Sequence, residues 1–206
     1  MKELIREMID IGCLSISPKK PFTYASGLKG PIYCDCRLLA THQKVREMIA
    51  QAFSDLINAK ELSYDYITGV ATAGIPHAAF LAAHRKESFC YSRSKPKAHG
   101  QGRMVEGDVA DGSKLLLIED LVNQGSSIAT VIENLRQREF VVDSALCIVD
   151  YQTPKSLELL NNLKVESFSL INFRTLADVA HELKVIDDDD LEILDNWNKS
   201  PETFVG

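Results

Sequence analysis

Residues 115–127 read LLLIEDLVNQGSS. Four apolar residues in a row, without the alternation of a half-exposed strand, predict a strand over 114–120 buried on both faces, as inside a parallel sheet. That strand ends on two adjacent carboxylates, Glu119 and Asp120. Gly125, Ser126 and Ser127 then open a helix over 126–138. Strand, polar turn and helix make one α/β unit, and the neighbouring sequence repeats it. Strands are predicted over 66–70, 89–91, 144–149 and 165–171, with helices over 75–85 and 153–162 between them. Such alternation implies right-handed crossovers and a parallel sheet covered on both faces. Ligands of such sheets bind beyond the carboxyl ends of the strands, here after Val70, Tyr91, Ile118 and Val149.

Outside this repeat, Val45, Met48, Ile49, Ala52, Phe53, Leu56 and Ile57 fall on one face of a helix over 41–57. Leu4, Ile5, Met8 and Ile9 give a shorter one. Pro18, Pro21, Gly27, Gly30 and Pro31 mark a loop-rich stretch between them. Helices over 176–183 and 191–197 close the chain, with Asp187 to Asp190 as an acidic start that a helix N-terminus favours.

The chain has 206 residues, 45% hydrophobic and 25% charged, enough for one sizeable core. No apolar run approaches the roughly 18 residues that cross a bilayer, and the charged start offers no signal peptide, which predicts a soluble, cytoplasmic protein. Cys13, Cys34, Cys36, Cys90 and Cys147 include no C-x-x-C pair, so reduced, mostly structural thiols are expected. An extended Cys34-Asp35-Cys36 would alternate faces, so one thiol is expected to face the core and neither to be a nucleophile. The net charge of −6 argues against nucleic acid or anionic membrane as partner, yet residues 85–103 hold six cations against one acid. A basic segment on an acidic chain suits a small polyanion.

The Gly-Ser-Ser turn offers unpaired amides, hydroxyls and a positive dipole end to a phosphate. Glu119 and Asp120 suit sugar hydroxyls or a cation. Together they describe a sugar phosphate. Residues 92–107, SRSKPKAHGQGRMVEG, place Arg93, Lys95, Lys97, His99 and Arg103 on a glycine-rich loop at the ligand edge, suited to a diphosphate leaving group. Residues 69–76, GVATAGIP, lack the Lys-Ser/Thr of a P-loop; the turn either admits an anion or permits close strand–helix packing. No His pair with metal-ligand spacing and no G-x-S-x-G elbow occurs, so covalent catalysis has no candidate.

On these residues the chain resembles the type I phosphoribosyltransferases, and within them the orotate-using branch. The resemblance rests on residues 115–127, on FTYASGLKGPIYCDCR (22–37), GVATAGIP, RSKPKAHGQGRMVEG and the 167–176 tail, and covers nearly the whole chain. It implies a type I phosphoribosyltransferase-like parallel sheet flanked by helices. Residues 1–65 would form an N-terminal hood and helices packing on the core, and 66–206 the α/β core that binds phosphoribosyl diphosphate (PRPP). The implied reaction moves the 5-phosphoribosyl group to orotate. By the resemblance, Glu119 and Asp120 hold the ribose hydroxyls, and Leu121, Val122, Asn123, Gln124, Gly125, Ser126 and Ser127 complete the PRPP motif around the 5-phosphate. Arg93, Lys97 and His99 contact the diphosphate from the neighbouring subunit of a homodimer. Lys97, His99, Arg93 and Asp120 are the implied catalytic set, and Mg²⁺ rides on the diphosphate rather than in a protein cage. The chain departs from many relatives at Ala25, Ser94, Asn123 and Tyr151. Tyr151 stands where they carry an arginine for the orotate carboxylate, which leaves Lys29, Arg37 and Arg174 as candidates, with Asn123 in reach of the base.

Overall fold

Leu115, Leu116, Leu117 and Ile118 are all buried, and successive residues go to opposite faces. Leu116 and Ile118 join a cluster with Leu4, Ile5, Phe53, Leu176 and Trp197, whereas Leu115 and Leu117 pack with Ile128, Ile132 and Leu135. A strand with no polar face can sit only in the middle of a covered sheet.

A computed structural model describes residues 1–24, 27–93 and 104–204. In chain order the elements are α1 (Lys2–Asp10), β1 (Leu14–Ile16), β2 (Phe22–Thr23), β3 (Lys29–Gly30), β4 (Ile32–Cys34), a 3-10 helix (Cys36–Thr41), α2 (Gln43–Ala59), β5 (Tyr66–Val70), α3 (Gly74–Arg85), β6 (Phe89–Ser92), β7 (Val105–Glu106), β8 (Lys114–Val122), α4 (Ser126–Arg136), β9 (Val141–Asp150), α5 (Pro154–Asn162), β10 (Glu166–Asn172), α6 (Phe173–Glu182) and α7 (Asp188–Lys199). The main sheet has six strands in the order β10-β9-β8-β5-β6-β7. All neighbours are parallel except β6 and β7. The chain steps from β5 outward to β6, then returns to β8 and proceeds the other way to β9 and β10. The topological switch, where such sheets bind ligands, therefore lies between β5 and β8.

The predicted α/β sheet is present, with differences of extent. β8 runs two residues beyond the predicted 120, because Leu121 and Val122 keep their pairing with Val149 and Asp150. The loop-rich stretch folds into two antiparallel pairs, β1 with β4 and β2 with β3. Strands this short carry too few residues for a periodic signal. β7, likewise two residues long, pairs Ser92 with Val105 and Tyr91 with Glu106, so the basic segment leaves and rejoins the sheet at one place.

The last helix starts as its acidic run predicts. The Asp187 carboxylate accepts from the Asp190 amide (2.8 Å), and the Asp190 carboxylate accepts from the Asp187 amide (3.3 Å), a reciprocal cap. At the other end Trp197 is fully buried, its ring edge-on to Tyr151 with centroids 5.4 Å apart. Among the described residues no helix is long and apolar enough to cross a membrane.

Candidate active site

Beyond the carboxyl end of β8 lies a cleft of about 360 Å³, lined by Tyr24, Tyr33, Cys34, Glu119, the run Leu121 to Ile128, and Tyr151. A larger depression of about 470 Å³ between Met104, Asp111 and Phe140 brings together no comparable set of donors. The cleft gathers every predicted PRPP-motif residue except Asp120.

Its phosphate end is built by backbone. Gly125 precedes α4 with φ +75°, and a residue without a side chain supplies no cap, so the first amides of an 11-residue helix stay unpaired by any side chain there. Ser126 and Ser127, both exposed, add hydroxyls at the same spot. A Cβ on Gly125 would stand 3.0 Å from Ser156 Cα. Gly125→Ala therefore combines left-handed strain of about 1–2 kcal/mol with a backbone clash, and is expected to lower Tm by several degrees at about 2–4 °C per kcal/mol while raising the KM for PRPP. An unchanged melt would show that the turn tolerates a side chain.

The adjacent carboxylates differ in exposure. Glu119, 8% exposed, lines the cleft. Burial pushes its carboxyl well above the usual range, and the neighbouring Asp120 carboxylate adds to the rise. One Glu119 oxygen accepts the Asp120 amide at 3.0 Å. Asp120 is half-buried and does not line the cleft; its charge acts on His77, Arg37 and the cysteines beside the 3-10 helix. The two carboxyl groups remain in side-chain contact, Glu119 toward the cleft and Asp120 toward the 3-10 helix.

Asn123 and Gln124 are half-buried in the cleft wall. The Asn123 carbonyl accepts from Thr153 Oγ1 at 3.0 Å, which ties the turn after β8 to the start of α5. Tyr151 is 1% exposed; its amide donates to the Val122 carbonyl (3.0 Å) and its carbonyl accepts from Asn198 Nδ2 (2.5 Å). Tyr24 donates to the Ile32 carbonyl at 2.5 Å, and burial raises its phenol. Tyr24, Tyr33 and Cys34 belong to the short-strand region, and periodicity alone gave no sign that they would meet the β8 turn.

Arg93 stands at the base of the basic segment. Its amide donates to the Met104 carbonyl (2.8 Å), and its guanidinium pairs with Glu106 (3.0 Å). Ser94, Lys95, Lys97, His99 and Arg103 lie outside the described residues, as does Ala25. None of Lys29, Arg37 and Arg174 lines the cleft. Arg37 pairs with Asp35 at 2.6 Å, and Arg174 with Asp178 at 2.5 Å and Asp195 at 3.3 Å.

The turn after β5 contains a cis peptide between Ala71 and Thr72. A Cβ at Gly69 would lie 2.7 Å from Ile75 Cα, and one at Gly74 would collide with the Ile118 carbonyl oxygen. Close strand–helix packing accounts for both glycines.

Of the two neighbouring thiols, Cys36 faces the core and Cys34 is half-buried; their sulfurs lie 3.5 Å apart, and Cys13 Sγ lies 3.9 Å from Cys34 Sγ, a meeting of three thiols that the sequence did not announce. The strand stops at Cys34. Asp35, at φ −120° and ψ 83°, turns the chain and caps the 3-10 helix by accepting from the Arg37 amide. Hydrogen bonds from Cys34 and then Cys36 draw the Cys13 thiol down, while the Cys34 and Cys36 thiols are pushed up.

For a divalent cation that serves a diphosphate, Glu119 offers hard oxygen donors at the cleft wall, a chemistry that fits Mg²⁺, which keeps several of its waters.

The profile of the phosphoribosyl transferase domain matches residues 37–181. The chain is 39% identical over 204 residues to the orotate phosphoribosyltransferase of Bacillus subtilis (strain 168), covering 98% of this chain and 94% of that protein. It is 38% identical over 199 residues to the same enzyme of Bacillus pumilus (strain SAFR-032), at 97% and 94% coverage. Among solved structures, orotate phosphoribosyltransferase from Aeropyrum pernix superposes with a TM-score of 0.73 at 27% identity, over 89% of this chain and 99% of that one. A cleft beyond the carboxyl end of β8, a phosphate-ready helix start and near full-length similarity agree: the chain belongs to the phosphoribosyl transferase family, among the orotate phosphoribosyltransferases.

Proposed function

We propose that this chain transfers the 5-phosphoribosyl group of PRPP to a ring nitrogen of orotate, giving orotidine 5-monophosphate and diphosphate, a step of pyrimidine (UMP) biosynthesis. The observation that carries the reading is a single cleft in which a buried carboxylate and the open amides of α4 lie on consecutive turns of one strand–helix unit. The similarity to enzymes of that name supports the choice of base.

Breaking the C1–O bond leaves positive charge on the ribose and negative charge on the diphosphate, so catalysis must stabilise both. The amides of Gly125, Ser126 and Ser127 anchor the 5-phosphate. Glu119 and Asp120 orient the ribose hydroxyls and support the positive charge that develops on the ring, Glu119 from the cleft wall. Asn123 reaches the base, beneath the Tyr24, Tyr33 and Tyr151 wall. Mg²⁺ bound on the diphosphate supplies positive charge to the leaving group. Lys97, Arg93 and His99 neutralise the remainder. In this reading residues 1–65 act as the hood over the base and 66–206 as the PRPP-binding core. Five unbridged cysteines suit a cytoplasmic setting.

Spectrophotometric loss of orotate with PRPP and Mg²⁺ tests the function; turnover of adenine, hypoxanthine or uracil in place of orotate would overturn it. We further propose a homodimer whose basic loop serves the neighbouring site. Mixing inactive Lys97→Ala chains with inactive Asp120→Asn chains is then expected to restore part of the activity, because some hybrids carry one intact site. No recovery in verified heterodimers would establish a self-contained subunit.

A further inference from the structure

Cys13, Cys34 and Cys36 come from three separate backbone segments: the turn before β1, the end of β4 and the start of the 3-10 helix. Their sulfurs all lie within 4.8 Å of one another, with individual separations of 3.5 and 3.9 Å along the trio. Sulfurs bound to one tetrahedral ion at about 2.3 Å stand about 3.8 Å apart. The trio therefore already has the spacing of a ligand set, within a small side-chain rotation.

The surroundings fix the backbone that carries it. The Asp35 amide donates to the Cys13 carbonyl at 2.8 Å, and Leu14 pairs with Cys34 across β1 and β4. The His77 ring nitrogen Nε2 meets the Cys36 carbonyl at 3.3 Å. Cys13 and Cys36 are fully buried, while Cys34 is half-buried and lines the substrate cleft. The trio has a closed back and an opening on one side. Among the described residues it is also the only group of three metal-capable side chains. Its donors are all sulfur, which selects thiophilic d¹⁰ ions over Mg²⁺.

We propose that Cys13, Cys34 and Cys36 form a three-thiolate site for one thiophilic d¹⁰ cation of the Zn²⁺ class, open to the substrate cleft through Cys34. Three metal–sulfur bonds form, the thiol protons pass to solvent, and the fourth position of the tetrahedron is left to water. No sulfur changes oxidation state. The site is separate from the Mg²⁺ that accompanies PRPP. An ion there occupies a wall of the cleft and lowers turnover; this last consequence rests on the proposed function, whereas binding itself does not.

The test uses the full, reduced, chelator-treated protein titrated with Cd²⁺ under anaerobic conditions. The expected result is a sulfur-to-cadmium charge-transfer absorption that saturates at one equivalent. It is lost in Cys34→Ser, whose half-buried side chain tolerates the exchange, and kept in Cys90→Ser, which retains a partner for Thr68. Thermal melts without metal establish that both variants are folded, and added Zn²⁺ should raise the Tm of the wild type but not that of Cys34→Ser. Absence of the band, or a band equally strong in Cys34→Ser, overturns the site. With orotate and PRPP, one equivalent of Zn²⁺ is expected to reduce turnover severalfold in the wild type and not in Cys34→Ser, and a chelator should restore it. Stoichiometric binding with turnover unchanged overturns the opening onto the cleft.

Discussion

Lys97→Ala is expected to lower kcat by about 10²-fold or more, the scale of one lost electrostatic stabiliser in a transition state. The reaction separates charge without a protein nucleophile, so the barrier depends on how well positive groups meet the departing diphosphate. In the proposed function the α4 amides hold the 5-phosphate, and none of Lys29, Arg37 and Arg174 lines the cleft. Cationic help for the leaving group is assigned in that proposal to the segment between β6 and β7. Arg93 is already paired with Glu106 at the base of that segment. Lys97 is the mid-segment lysine the family resemblance aligns with the diphosphate, and it lies outside the described residues. Steady-state kinetics separates the roles: a transition-state stabiliser lowers kcat and kcat/KM together, while a residue that only binds PRPP raises KM with kcat unchanged. A fall in kcat of less than about threefold sinks the assignment.

The α/β sheet was legible because its signals are local. A wholly apolar tetrad at 115–118 has one physical home, and Gly-Ser-Ser before a helical pattern announces an anion-ready helix start. The same locality explains what was missed. Cys34 and Cys36 are two residues apart, and the period of two assigns them a face only while the strand lasts. Asp35 ends it, and that depends on a side-chain cap one residue wide. The approach of Cys13 depends on the pairing of β1 with β4, three residues each, which no periodic signal announces. Tyr24 and Tyr33 reach the cleft by the same short pairings. Glu119 and Asp120 were legible as a pair, and their side chains do interact, although only Glu119 lines the cleft.

Glu119→Gln is expected to stabilise the unliganded protein near neutral pH while lowering kcat by about 10²-fold, on the scale of a lost charge-stabilising group. Burial, with Asp120 alongside, holds the Glu119 carboxyl well above its ordinary value of 4.5. The folded state therefore binds this proton more tightly than the unfolded chain does. Below about pH 4.5 both states are protonated and the group is neutral to stability. As pH rises from there, the unfolded chain releases the proton first, and stability falls until the folded carboxyl also ionises. Glutamine keeps the shape and has no proton to lose, so the gap in Tm between variant and wild type should open as pH rises from about 4.5 towards 7. Other titrating groups, Asp150 among them, are common to both proteins and cancel in the difference. PRPP should close the gap, because its ribose hydroxyls give the wild-type carboxylate its partners, and a ligand that binds only the folded state adds stability by mass action. Such a group is unfavourable to the empty fold and favourable to the occupied one, as expected for a residue retained for its ligand. Melting curves of both proteins at pH 4.5 and 7, with and without PRPP, decide the matter. Equal melts at both pH values, or a variant with full activity, remove Glu119 from the role assigned to it.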